Sequence, residues 1–123
     1  MQWYLAAKYD KRADLLLIAD RLRAAGHEVG AAWLTGAHEC DDAFACQWAR
    51  QDLADIAACD SFMLVNLPLD APDASPGRHV EFGYALALKK PCIVIGGGSQ
   101  SIFYRLAKHF TSIEEFFAFD AVE

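Results

Sequence analysis

The sequence has little that is basic. Eleven lysines and arginines stand against seventeen aspartates and glutamates, for a formal net charge of −6. Binding a nucleic-acid polymer requires a basic surface that displaces counterions, so no such polymer is an expected partner. A small anion remains admissible, because a helix N-terminus and one or two local cations can hold a phosphate on an acidic protein. Long apolar runs are also missing. The longest fall far short of the ~20 residues that cross a bilayer, so no membrane partner is expected. Cysteine is sparse: Cys40, Cys46, Cys59 and Cys92 form no C-x-x-C pair. Cys59 and Cys92 stand beside or inside apolar runs, where a thiol behaves as a small core residue. His38-x-Cys40 and Cys46 fit no common zinc spacing and lack a fourth ligand, so no metal is expected. The opening residues, Met1-Gln2-Trp3-Tyr4-Leu5-Ala6-Ala7, have no basic lead and no long apolar stretch. These absences suggest a reduced, cytoplasmic protein.

Nucleotide fingerprints are lacking as well. No Gly-Lys-Ser/Thr follows the run Gly96-Gly97-Gly98, and no G-x-G-x-x-G follows the first apolar run. No cofactor is expected. Repeats and low-complexity tracts are absent.

What is present is apolar material. Hydrophobic residues make up 54% of the 123 positions and charged residues 23%, which suits one folded domain over residues 1–123 and excludes a disordered chain. Trp3 to Ala7 reads as a buried strand, and Lys8-Tyr9-Asp10-Lys11-Arg12 as a polar loop. Ala13 to Ala25 has helical spacing, and Gly26 stops it. Glu28 to Trp33 reads as a second strand. Gln47 to Cys59 is a helix, and Phe62 to Leu67 is apolar almost throughout, as in a central strand covered on both faces. A proline-rich loop from Pro68 to Pro76 precedes a helix over Gly77 to Lys89. Cys92 to Ile95 is a fourth strand, Ser101 to Ala107 a short helix, and His109-Phe110 a brief fifth strand. A last helix starts at Ser112, where Ser112-x-x-Glu115 has the form of a capping box. Phe110, Phe116, Phe117 and Phe119 form an aromatic cluster, read as core or dimer interface.

Strands alternate with helices. This predicts an α/β, doubly wound, flavodoxin- or Rossmann-like parallel five-stranded sheet with helices on both faces. Ligands on such sheets bind at the carboxyl ends of the strands. The loops after Ala7, Trp33, Leu67 and Ile95 meet there.

The most informative segment is Ser75-Pro76-Gly77-Arg78-His79-Val80-Glu81-Phe82-Gly83-Tyr84-Ala85. Glu81 stands near a helix N-terminus, where the helix dipole is expected to keep its carboxylate ionised. Gly83 is expected to let the helix approach a neighbour closely. The backbone N–H groups of Gly77 to His79 can hold a phosphate, with Arg78 or His79 adding charge. Taken alone, an acidic residue early in a helix is better explained by helix stabilisation than by catalysis.

The segment resembles the signature of the nucleoside 2-deoxyribosyltransferase family, which includes deoxynucleoside 5′-monophosphate N-glycosidases. There a Gly-rich loop leads into a helix bearing a nucleophilic glutamate, followed by Gly, one residue and Ala. Glu81-Phe82-Gly83-Tyr84-Ala85 is similar to it. Tyr4-Leu5-Ala6-Ala7 resembles the family's first strand, and Asp52-Leu53 with Cys59-Asp60 its aspartate-bearing helix. The pieces occur in the family's order across most of the chain.

The resemblance implies that Glu81 attacks the anomeric carbon, Tyr4 orients Glu81, and Asp52 binds the substrate or helps protonate the leaving base. Read on their own residues, Tyr4 can equally be a core filler, and Asp52 is better read as a solvated helix carboxylate. Asp60 reads as a turn residue. Ser75, Gly77, Arg78 and His79, with Ala7 and Lys8 at the end of the first strand, are the expected substrate contacts. The loop after that strand departs from the Gly-Ser character of the monophosphate hydrolases. The short chain favours hydrolysis over base transfer. The resemblance also implies a homodimer or higher homo-oligomer with shared active sites. The Gly96 to Ser101 loop and the helix with Phe103 and Tyr104 would supply the neighbour, and Ser101 would reach across. The expected ligand is a nucleoside or nucleotide. Two alternatives stay open: hydrolysis of another N-ribosyl nucleotide with the same glutamate, and a non-catalytic nucleotide-binding module on the same fold.

Overall fold

A computed structural model describes residues 1–35, 45–66, 77–97 and 102–122. The elements run β1 (Gln2–Ala6), α1 (Arg12–Ala24), β2 (Glu28–Val29), α2 (Ala45–Ala58), β3 (Ser61–Asn66), α3 (Gly77–Ala87), β4 (Cys92–Gly96), β5 (Lys108–Phe110) and α4 (Ile113–Val122). Short 3₁₀ turns cover Tyr9–Lys11, Ala32–Thr35 and Ile102–Leu106. Among the described residues the sheet has five parallel strands in the order β2-β1-β3-β4-β5. This is the α/β architecture expected from the alternating pattern. Among the described residues no helix is long and apolar enough to cross a membrane.

The central strands β1, β3 and β4 are buried almost from end to end, which explains their continuous apolar runs. Successive side chains of β1 point to opposite faces. Trp3 meets Phe116 of α4 edge-on, with centroids 5.6 Å apart, whereas Tyr4 stacks on Phe62 at 5.7 Å. On the Trp3 face α1 is joined to α4 by Arg21–Glu114 at 3.1 Å, and His27, just beyond α1, reaches Asp120 at 2.9 Å. On the Tyr4 face α2 packs against α3. The C-terminal aromatic cluster belongs to this chain's own interior, with Phe110 and Phe116 buried and Phe117 and Phe119 packed against the core.

Helix ends follow their local chemistry. Gly26 adopts φ +95° beyond α1, and the N–H groups of Gly26 and His27 donate to the carbonyls of Arg23 and Leu22, each at 3.0 Å. That pairing closes the helix in a Schellman arrangement. Lys89 plays the same part after α3 at φ +59°, with the Lys89 and Lys90 N–H groups donating to the Leu86 and Ala85 carbonyls. At α4 the Glu115 N–H donates to Ser112 Oγ at 3.1 Å, while the Glu115 carboxylate accepts from Thr111. The capping box therefore forms, with its return arm shifted back by one residue.

The second strand is shorter than its sequence suggests. Only Glu28 and Val29 pair with β1, and Ala32–Thr35 is a 3₁₀ turn rather than strand. Two distant groups draw the chain away. The Ala32 N–H donates to Asp55 Oδ2 of α2 at 2.9 Å, and the buried Trp33 indole N–H donates to the Leu5 carbonyl at 2.8 Å. The indole thus satisfies a backbone group that a longer β2 would have paired.

Candidate functional site

Two helices and one strand build the site. The buried face of α3 carries Arg78, Phe82 and Ala85, positions i, i+4 and i+7. Phe82 stacks on Phe62 of β3 with centroids 6.0 Å apart, which seats the helix on the sheet. Glu81 lies at one edge of that face. From β1 the Tyr4 ring, fully buried and stacked on Phe62, points its hydroxyl at α3 and donates to Glu81 Oε2.

A cleft of about 270 Å³ opens beside Glu81. One wall is Ala49, Asp52 and Leu53 of α2, and the other is Gly77, Val80 and Glu81 of α3, so each helix contributes an i, i+3, i+4 set. Four of the six residues are apolar. Asp52 and Glu81 supply the polar groups. A small apolar space with a few polar groups suits a small, partly polar ligand, and its size is near the lower end for small-molecule sites.

The charge state of Glu81 departs from expectation. Burial pushes its carboxyl up from the ordinary 4.5 to about 7; the Tyr4 hydrogen bond pulls it down, and the Asp52 charge adds a further push upward. Glu81 is the fifth residue of α3, beyond the first turn where the helix dipole acts, so loss of hydration outweighs the dipole. The Tyr4 hydroxyl is raised above its ordinary 10 by burial, then by the Glu81 and Asp52 charges. It therefore stays a neutral donor at any working pH.

The other candidates are distributed unevenly. Asp52 and Gly77 line the cleft with Glu81. Arg78 is buried under α3 at 4% exposure, so it is not a surface cation. His79 is half-buried on the flank of α3 away from Glu81, with Nδ1 3.4 Å from the Tyr104 hydroxyl. Ala7 and Lys8 sit half-buried where β1 ends. Ser75 and Ser101, like His38 and Cys40, lie outside the described residues. Among the described residues no group of three or more His, Cys, Asp or Glu side chains is gathered as metal ligands. Gly83 is exposed, and a Cβ there would meet nothing within 4 Å among the described residues, so it does not mediate the close approach expected of it. Asp60 is structural: its carboxylate accepts the Gln2 N–H at 2.7 Å.

Sequence reasoning missed Asn66 and misplaced Tyr104. Asn66 ends β3 at the ligand edge and donates to the Gly97 carbonyl and the Tyr104 hydroxyl, both at 3.1 Å. Tyr104 is buried in its own chain at 3% exposure, whereas Phe103 beside it is 58% exposed. A polar residue closing an apolar strand at the carboxyl edge was the available signal for Asn66. Nothing local distinguishes Tyr104 from Phe103.

Residues 3–105 match a family model described as nucleoside 2-deoxyribosyltransferase. Several solved structures are similar, among them the following two. A 2-deoxyribosyltransferase from Bacillus psychrosaccharolyticus shares 18% identity, with a TM-score of 0.76 over 94% of this chain and 90% of that one. A CMP N-glycosidase from Clostridium botulinum shares 21% identity, with a TM-score of 0.64 over the full length of both. No curated protein matches the chain in sequence. At these identities the likeness carries the fold. Because this chain spans 90% of the transferase, chain length does not separate transfer from hydrolysis, and that expectation is withdrawn.

Proposed function

Because the chain belongs to the nucleoside 2-deoxyribosyltransferase family, we propose that it cleaves the N-glycosidic bond of a 2′-deoxynucleoside or its 5′-monophosphate through a glycosyl ester on Glu81. The supporting observation is the Glu81 carboxyl held by Tyr4 at a small apolar cleft that Asp52 faces from the other helix.

An ionised Glu81 oxygen attacks C1′ and forms an ester bond while the C1′–N bond breaks and its electron pair leaves with the base. The base takes a proton, delivered by Asp52 or by water. Water, or a second base, then attacks C1′ and releases Glu81, and the two displacements give net retention. Positive charge developing on the ring favours the ionised carboxylate, offsetting the upward push of burial. The burial of the carboxylate strengthens that attraction. Tyr4 holds the second carboxylate oxygen, leaving the first to attack.

Gly77, with Ser75, Ala7 and Lys8, supplies the proposed substrate contacts; Arg78, which is buried, and His79, on the flank of α3 away from Glu81, are not among them. Ile102, Phe103 and Leu106, exposed by 72%, 58% and 67%, support a second copy docking on this segment, bringing Ser101 toward its neighbour's site. A dimer in light scattering that becomes a monomer in Phe103→Asp supports that arrangement.

A second reading takes a ribonucleoside monophosphate as substrate. It is favoured by full-length similarity to a CMP N-glycosidase. Incubation with deoxynucleosides, their monophosphates and ribonucleoside monophosphates, followed by chromatography for free base, separates the two. Added acceptor base that yields a new nucleoside marks transfer over hydrolysis. The proposal fails if wild type releases no base from any of these, or if Glu81→Gln releases it equally fast.

A further inference from the structure

The flank of α3 opposite Glu81 is also anchored, through His79 and Tyr104. An α-helix turns ~100° per residue, so side chains two apart, such as His79 and Glu81, project about 160° from one another. Between them lies the buried arc of Arg78, Phe82 and Ala85. His79 Nδ1 stands 3.4 Å from the Tyr104 hydroxyl, which accepts from Asn66 Nδ2 at 3.1 Å. The Tyr104 ring meets Phe82 edge-on at 5.3 Å. The Tyr104 carbonyl accepts from His109 Nε2 of β5 at 2.6 Å. Tyr104 therefore bridges the end of β3 and the middle of β5 to two residues of α3.

We propose that Tyr104 is a positioning residue: by holding His79 and Phe82 it stops α3 from rolling, and so keeps Glu81 on the Tyr4 hydroxyl. The proposal rests on the reading of Glu81 as the reacting carboxylate. The lever is long enough to matter. A roll of about 20° moves a carboxylate ~6 Å from the helix axis by about 2 Å, which breaks a hydrogen bond. A displacement near 1 Å at a reacting group can cost on the order of 100-fold in rate. Among the described residues, the groups facing Glu81 are Tyr4 from β1 and Asp52 from α2, and the rest of the cleft is Ala49, Leu53, Gly77 and Val80.

Tyr104→Phe removes the hydroxyl and keeps the ring against Phe82. Two readouts apply: the steady-state constants, and the titration of the Glu81 carboxyl followed by ¹³C NMR on labelled glutamate without substrate. The expected result is a fall in kcat of about tenfold with KM within about twofold. The Glu81 titration should also move up by about half a pH unit, because a weaker Tyr4 hydrogen bond stabilises the anion less. In a Tyr4→Phe background, Tyr104→Phe should move the titration no further, since the contact it acts through is gone. An unmoved titration with Tyr4 present overturns the proposal, and so does an equal shift in both backgrounds. Asn66→Leu, which removes the donor to Tyr104, should give a smaller shift in the same direction and carries the test if Tyr104→Phe does not fold. If Glu81→Gln still releases base, the reading of Glu81 falls while the titration still decides the coupling.

Discussion

The Tyr4 hydroxyl donates to Glu81 Oε2, joining the middle of β1 to the second turn of α3. The two residues are 77 positions apart, and the bond acts oppositely on them: it eases ionisation of Glu81 and hinders that of Tyr4. Removing the donor alone should therefore expose the unopposed effect of burial. In Tyr4→Phe, which keeps the ring stacked on Phe62, the Glu81 carboxyl should titrate about one pH unit higher than in wild type. Carbon NMR of the labelled side chain measures it.

Burial of Glu81 gives stability a defined pH dependence. Its folded value of about 7 is above the ordinary 4.5, so the native state binds the proton more tightly than the unfolded chain. The associated stability is fully present below pH 4.5 and is lost as pH rises through 7, an order-of-magnitude change of about 3 kcal/mol. Glu81→Gln cannot ionise. Its denaturation midpoint in urea should fall less than that of wild type between pH 4.5 and 8, leaving it the more stable protein at pH 8. Its base release should drop at least about a thousandfold.

Nucleophilic attack needs the ionised carboxylate, so kcat/KM should rise with pH and level off above about 7. Asp52→Asn removes a negative charge that pushes this carboxyl upward. The acid limb should then move to lower pH, while kcat falls on the order of 10- to 100-fold if Asp52 assists the leaving base. A pH–rate profile of each protein checks both statements.

Lys89 holds a left-handed conformation at φ +59° beyond α3, and its side chain is exposed. Glycine takes that conformation without a Cβ penalty, though it also gains freedom when unfolded. Lys89→Gly should raise stability by about 0.5–1 kcal/mol with activity unchanged. Thermal melting at pH 6 gives the answer.

Much of this architecture was legible in residue order. The buried strands Trp3–Ala6 and Phe62–Val65 announce themselves by unbroken apolar character, and Gly26 and Ser112 mark helix ends by their own backbone and hydroxyl chemistry. The segment around Glu81 also stood out. The run from Gly30 to Trp33 misled, because its apolar character suits either a strand or a buried turn, and the choice was made by Asp55 and by the Leu5 carbonyl. Tyr104 and Phe103 are neighbours of similar shape, yet one is buried against Phe82 and the other faces solvent.

Side-chain periodicity and capping are short-range properties, so the chain's order sufficed for the parallel sheet and its helices, while Glu81 became a candidate through the resemblance of its segment to a known family. The protonation of that carboxyl, the partnership with Tyr4, and the cleft shared with Asp52 were settled only when distant segments packed together. Hydration is lost to whatever surrounds a group in space, and neighbours in the chain do not specify those surroundings.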